Sequence, residues 1–189
     1  MLRLPLPCLL LLLLLVSGCV TAEGERHYSA DPRPQPVLAR DRALATEILG
    51  RFADEELVGL GQLKAHVYNG HVYLVGEYES EEQRRAALDI VTAVAGSGKV
   101  TMRTLPLKRG GQCSDSRNNA LARDVTAKLI ADSKVHGYTV EVRAMQCREI
   151  VLLGLLSDEE EIARATSLAA RVPGVQQVDS LLNVFAPQP

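Results

Sequence analysis

Tryptophan is absent from this 189-residue chain, phenylalanine occurs twice and tyrosine five times. So few rings supply no stacking platform for single-stranded nucleic acid. A charge excess is missing too: 21 Lys and Arg against 23 Asp and Glu leave a formal −2, so no basic field exists to hold a polynucleotide. His27, His66, His71 and His136 are scattered, and neither Cys-x-x-Cys nor His-Glu-x-x-His occurs, which removes the common metal sites. His66 and His71 read as exposed strand residues on either side of a turn. No Gly-x-Gly-x-x-Gly run opens a helix, and Gly96-Ser97-Gly98 reads as a helix stop. No serine or cysteine stands in a nucleophile motif. Glu77, Glu79, Glu81 and Glu82 read as a solvated strand end and helix N-terminus. The expectation is a chain with no catalytic residues, no metal, no cofactor and no nucleic-acid partner, and not an enzyme.

Long apolar runs are lacking as well, with one exception, the 13 residues Leu4 to Val16. A membrane-spanning helix needs roughly 17–25. With Arg3 before it and Ser17-Gly18 after it, the run has the form of a cleavable export signal over residues 1–18. Leu14 to Cys19 resembles the lipobox of bacterial lipoproteins. That resemblance implies a diacylglycerylated Cys19 thiol, cleavage just before it, and a mature chain that begins at Cys19. An ordinary signal with a cysteine near its end is the other reading. Val20, where an aspartate would retain the protein at the inner membrane, resembles the outer-membrane sorting pattern. The expected location is therefore exported and lipid-anchored, at the outer membrane facing the periplasm.

Cys8 leaves with the signal and Cys19 carries lipid, so Cys113 and Cys147 remain. In an exported chain two such residues point to a disulfide, the alternative being two separate thiols. Behind Cys19, residues 19–40 form a tether. Thr21 to Val37 carries Pro32, Pro34 and Pro36 and offers no apolar face, and its 17 residues would reach about 50 Å if fully extended.

From Asp41 the pattern turns helical, with Leu44, Ile48, Leu49 and Phe52 on one stripe. Leu63, Ala65 and Val67, then Val72 and Leu74, alternate around Asn69-Gly70, a hairpin signal. Ser80 and Gln83 form a candidate capping box before Ala87, Leu88, Val91 and Val94, and Val100 to Leu107 is extended. This unit spans residues 41–108. After a linker, 109–116, the order returns over residues 117–186. Leu121, Val125 and Leu129 mark a helix; Tyr138, Val140 and Val142 a strand; Ile150, Leu152 and Gly154 another. A helix then begins at Ser157 to Glu161, and a last strand runs through Val175, Val178, Ser180, Leu182 and Val184 with an early bulge. Val72, Leu74, Gly76, Ala87 and Ile90 map by a constant 78-residue shift onto Ile150, Leu152, Gly154, Ala165 and Leu168. The unit is duplicated. Cys113 lies just before the helix of the second unit and Cys147 in an unusually long loop between Arg143 and Glu149. A helix of about 15 residues rises roughly 22 Å and a returning strand of about six covers roughly 20 Å, which brings the two cysteines near one another.

Val67-x-x-Gly70-x-Val72-x-Leu74-x-Gly76 before an Ala-rich helix, and Ile150-x-Leu152-x-Gly154 before Ala163, Ala165, Pro173-Gly174-Val175 and Asn183, resemble the BON domain. The resemblance covers nearly all of residues 40–186. It implies an α+β fold of two tandem domains, each helix-strand-strand-helix-strand with two helices on a three-stranded mixed sheet. The first copy departs at Gly96 to Lys99 and lacks the late asparagine; the second lacks the Asn-Gly turn. By resemblance the expected function is non-enzymatic binding of anionic phospholipid through the second domain, in support of outer-membrane integrity. Positive charge on or near the first helix of that domain, at Arg117, Arg123, Lys128 and Lys134, makes Arg123, Lys128 and Lys134 the candidate headgroup contacts. Two other roles stand beside it: a periplasmic adaptor that recruits envelope proteins through exposed sheet edges or faces, and an osmotic-stress chaperone.

Overall fold

The computed structural model describes residues 31–108 and 113–185. The signal, Cys19 and most of the tether lie outside the described residues. The first repeat runs α1 (Gln35–Asp54), β1 (Lys64–Tyr68), β2 (His71–Tyr78), α2 (Glu81–Ala95) and β3 (Val100–Pro106). The second runs α3 (Asp115–Ile130), β4 (Val140–Met145), β5 (Glu149–Leu156), α4 (Glu159–Ala170) and β6 (Gln177–Val184). Each sheet has its long strand in the centre, paired antiparallel with the strand before it and parallel with the strand after it. The α2 crossover makes the β2–β3 pair parallel, and α4 does the same for β5–β6.

Local chemistry sets the helix ends. The Ser80 hydroxyl accepts the Gln83 amide at 3.1 Å, while the Gln83 side chain accepts the Glu79 amide at 2.7 Å. Asp158, not Ser157, caps α4 by accepting the Glu161 amide at 2.8 Å, and Glu161 reaches back to the Ser157 amide at 2.8 Å. Both second helices thus open with the same reciprocal box. Helix α1 starts at Gln35 rather than Asp41, so residues 35–40 of the expected tether are helical. Proline suits this start, because the first helical turn has no use for its missing N–H.

Other expectations are corrected in the second repeat. Tyr138 belongs to a 3-10 turn, Gly137–Thr139, and the strand begins at Val140. The loop before Glu149 is not long: Met145 pairs with Glu149 across a three-residue turn. Strand β6 pairs with β5 without a bulge from Gln177 to Val184.

Ile48 and Phe52 of α1 and Ala87 and Val91 of α2 pack on Val67, Val72 and Leu74 of the first sheet. Leu121, Val125 and Leu129 of α3 and Ala165 and Leu168 of α4 cover Val142, Ile150 and Leu152 of the second. Alternate residues of the central strands point away from the helices. A third cluster forms from them: Tyr73 and Val75 of β2 meet Met145 of β4 and Val151 and Leu153 of β5, flanked by Leu105 and Leu181. The two sheets are stacked back to back. Every residue of β5 is therefore buried, which explains why Ile150 to Leu156 is an unbroken apolar run where a half-exposed strand would alternate.

Gly76 and Gly154 hold equivalent positions at φ 136° and 137°. A Cβ on Gly76 would stand 2.1 Å from the Gln62 carbonyl oxygen, and one on Gly154 2.3 Å from that of Thr139. Here the chain entering the first strand crosses against the central strand, and only hydrogen fits. Gly154→Ala should cost more than about 2 kcal/mol, because steric overlap adds to the left-handed φ. Gly50→Ala, in an open helix position, should instead stabilise by about 0.5–1 kcal/mol. Urea denaturation of both variants checks this; equal stability of Gly154→Ala and parent would remove the packing argument.

Candidate functional site

The seam between the sheets is polar at its rim and differs at its two ends. At one end Arg103 of β3 donates to Glu149 of β5 at 3.0 Å and also pairs with Asp179 of β6. Close by, the Asn118 amide of α3 donates to Glu77 of β2 at 2.8 Å, Gln62 to Asp115 at 2.8 Å, and Gln146 to the Pro106 carbonyl at 2.9 Å. Burial raises the Glu77 carboxyl above its ordinary range despite the Asn118 bond. At the other end Asn183 donates to the Tyr73 hydroxyl at 2.8 Å. Beyond it lies a cleft of about 550 Å³, where His71 and Thr101 of the first repeat face Leu181 of the second. The repeat alignment makes His71, Thr101 and Leu181 the counterparts of Glu149, Asp179 and Arg103. An approximate two-fold relates the ends, one closed by ion pairs and the other open.

Each hairpin turn is held by the helix that precedes it. Asn69 and Gly70, at φ 54° and 73°, donate their amides to the buried Asp41 carboxylate at 2.7 and 2.8 Å. In the second repeat Asn118 takes this role: its side-chain oxygen accepts the Cys147 amide at 2.8 Å. Gln146 and Cys147 sit at φ 50° and 57°, a conformation unfavourable for residues with a Cβ. Cys147 is bonded to Cys113 just ahead of α3, with Cα atoms 5.5 Å apart. The covalent link holds a turn that lacks glycine.

On the first repeat Asp41 also pairs with Arg33, itself buried. Asp31 binds the same guanidinium at 2.6 Å, and its plane lies 5.1 Å over the Tyr68 ring. These contacts pin the start of the described chain to the hairpin end of the first repeat. Tyr68 lines the open cleft together with Leu155 of the second repeat, and the Leu155 carbonyl accepts the Thr139 hydroxyl at 3.1 Å. The chain that leads to Cys19 therefore leaves from the same end of the molecule as the Gly137–Thr139 turn.

Two of the three candidate cations gather at that end. Gly137 packs against the backbone of Leu129 and Ile130, which brings the turn that carries Tyr138, 62 % exposed, against the last turn of α3, where Lys128 stands. Lys134 stands on the connecting turn and donates its amide to Asp132 at 3.0 Å. Asp132 is paired with Arg164 at 2.6 Å, which holds its carboxyl down at about 2 and offsets its charge next to the lysines. Arg123 does not join them. It lines a groove between α3 and the edge strand β4, and five residues at 100° each put it roughly 140° around the helix from Lys128. Tyr138 carried a sequence signal, an aromatic between Gly137 and Thr139, but it was absorbed into the strand pattern.

The histidines depart from their expected surface positions. His71 Nε2 shares a hydrogen with the Thr101 hydroxyl at 2.8 Å and its ring rests 4.8 Å from that of Tyr73. His66 is half-buried in the seam, its Nε2 without a hydrogen-bond partner. Burial first, then the charges of Arg143 and Lys64, bring its pKa down to about 4. Among the described residues no group of three or more His, Cys, Asp or Glu is arranged to hold a metal, and no helix is long and apolar enough to cross a membrane.

A depressed histidine favours the folded state only while it is neutral. His66 should contribute nothing against folding above pH 6.5, and up to about 3 kcal/mol of stability should be lost between pH 6.5 and 4, levelling off below. The stability difference between parent and His66→Gln should therefore change across that window; a constant difference by urea denaturation would place the charge elsewhere. Reduction of Cys113–Cys147, which closes a separation of 34 residues, should lower stability by about 3–4 kcal/mol and speed amide exchange at Gln146 and Cys147. Unchanged unfolding of the reduced protein would assign the turn to Asn118 alone.

Residues 40–103 and 117–185 match the BON domain family. Outer membrane lipoprotein DolP of Haemophilus influenzae is 25 % identical over 169 residues, 86 % of each chain. Two solved structures of CdsD, a structural protein of the type III secretion system of Chlamydia trachomatis, align with a TM-score of 0.31. One is 15 % identical over 77 % of this chain and 63 % of its own; the other, a C-terminal domain, is 14 % identical over 78 % and 67 %. With two complete copies of helix-strand-strand-helix-strand covering most of its length, the chain belongs to the BON-domain family.

Proposed function

We propose that this protein is a non-enzymatic lipoprotein of the outer membrane, anchored through acylated Cys19 and facing the periplasm, whose second repeat binds anionic phospholipid headgroups at the end of α3. The lipobox pattern and the likeness to DolP, an outer membrane lipoprotein, support the anchor. The observation that carries the headgroup site is the shared end: the chain toward Cys19 leaves beside Tyr68, and Lys128, Lys134 and Tyr138 stand on or next to the turn that bonds to Leu155, a residue lining the same cleft as Tyr68. Eleven residues lie between Cys19 and Asp31, a reach of about 40 Å at most. Membrane anchoring therefore brings this end toward the bilayer. Lysine ammonium groups attract lipid phosphate, each contributing about 1 kcal/mol near an anionic surface, and an exposed tyrosine suits the headgroup layer, with an apolar ring and a polar tip.

Two acyl chains hold a protein on a bilayer where one is marginal, so full-length Cys19→Ser should move from the membrane to the soluble fraction or remain unprocessed, with its signal attached. That unacylated chain reports the headgroup site directly. It should bind vesicles containing phosphatidylglycerol and ignore phosphatidylcholine, with affinity falling as salt rises. Adding Lys128→Glu and Lys134→Glu should weaken binding by at least about tenfold, whereas Arg123→Glu should cost less. Binding indifferent to the double reversal, with folding intact, would move the site off the end of α3; a Cys19→Ser chain with unchanged fractionation and unchanged mass would overturn the anchor.

A further inference from the structure

We infer that the groove between α1 and the edge strand β1 of the first repeat is a docking surface for a cationic, apolar segment of another envelope protein. Leu49, Leu57 and Leu60 are 52, 53 and 60 % exposed, half of the six large apolar side chains exposed among the described residues. Leu49 and Leu60 line a groove floored by Ile48, Phe52 and Leu63, and Leu57 stands on the same loop.

The second repeat serves as an internal control. Leu63 and Val140 enter the first strands of their sheets at equivalent positions, and the helix and loop before them match in length, the loop backbones parting at Gly59, φ 56°, against His136, φ −75°. In the second repeat, Leu49 is replaced by Thr126, whose hydroxyl bonds to the Ala122 carbonyl, Leu57 by Lys134, and Leu60 by Gly137. The same fold thus forms with polar residues at the first two positions, whereas Gly137 packs on the backbone of α3 in a loop of different shape. Packing does not require Leu49 or Leu57, and clustered exposed apolar residues mark contact surfaces.

Position and charge select the occupant. Helix α1 begins at the hairpin end, where Asp41 and Arg33 pin the chain toward the anchor, and its 20 residues carry the loop with Leu57 and Leu60 about 30 Å away. The loop is thus turned from the bilayer. Asp54, Glu55 and Glu56 precede Leu57 directly. Glu47 and Arg51 cancel by pairing at 2.8 Å, and the Lys64 ammonium is engaged with the Leu60 carbonyl at 3.2 Å. Lys64 lines the groove and keeps its charge, but three carboxylates stand against this one ammonium, so the rim is acidic on balance and a segment with apolar anchors and lysine or arginine complements it. An acidic rim at the far end from the anchor does not suit an anionic membrane.

A photo-crosslinking residue at the exposed rim position Thr46, in the full-length lipoprotein in intact cells, tests this. The expected result is a protein adduct whose crosslinked peptide carries net positive charge and apolar side chains. Leu49→Thr with Leu57→Lys, the residues the second repeat uses, should reduce the adduct at least about tenfold. Asp54→Lys with Glu56→Lys, both at exposed positions, should do the same and covers the case in which the leucine variant is unstable. An adduct with lipid, with a second copy of this chain or with an acidic segment, an adduct that survives either variant in folded protein, or none at all, overturns the inference.

Discussion

Everything in this molecule rests on the contact between the two uncovered sheet faces. A three-stranded sheet with helices on one side leaves the other side to solvent, and here that side carries Tyr73, Val75, Met145, Val151 and Leu153. Exposing such side chains would cost about 1.5–3 kcal/mol each. Stacking the sheets removes all five from water at once. It also determines which ends of the repeats are neighbours: Tyr68 of β1 comes near Glu141 at the start of β4, and His66 near Arg143. The hairpin end of one repeat is thereby set against the loop end of the other. That reversal brings the start of the described chain and the α3 terminus to a common side while it sends the leucine loop to the opposite one.

Within this frame the repeats solve one local problem by different chemistry. A hairpin turn with positive φ needs acceptors for its inward amides, and the preceding helix supplies them. Asp41 serves a glycine-containing turn and still has charge left for Arg33; Asn118 serves a turn of ordinary residues and spends its amide on Glu77. The first solution ties the repeat to the chain leading to the anchor, and the second ties it to the neighbouring repeat. The disulfide supplies the backbone constraint that glycine makes unnecessary in the first turn.

Much of the architecture was legible in the sequence because it is local or repeated. Apolar periodicity placed three helices and the Ser157 to Glu161 signal the fourth, the constant shift from Val72 to Ile150 disclosed the duplication, and elimination left Cys113 and Cys147 as the remaining pair. What escaped depends on contacts distant in sequence. The stacked sheets were announced by the unbroken run Ile150 to Leu156, yet a run of that kind equally fits a strand buried by helices alone. The helical start at Gln35 was hidden by prolines that suit an extended tether as well as a first helical turn, and only the Arg33–Asp41 pair decides between them. Arg123, Lys128 and Lys134 look alike as charges on a line; helix geometry and the abutment of Gly137 separate them. The expected use of sheet faces to recruit partners fails for the same reason that the stack succeeds, since those faces cover each other.

The approximate two-fold in the seam has a consequence for how the halves can diverge. In a symmetric pair of identical repeats any residue placed at one end of the contact recurs at the other, so a cation that suits two carboxylates would have to serve both ends alike. Joining the repeats in one chain lifts that identity. Arg103 can close one end against Glu149 and Asp179 while Leu181, its counterpart, leaves the other open. Fusion thus permits polarity: one closed pole and one open pole, from two units that began with the same plan.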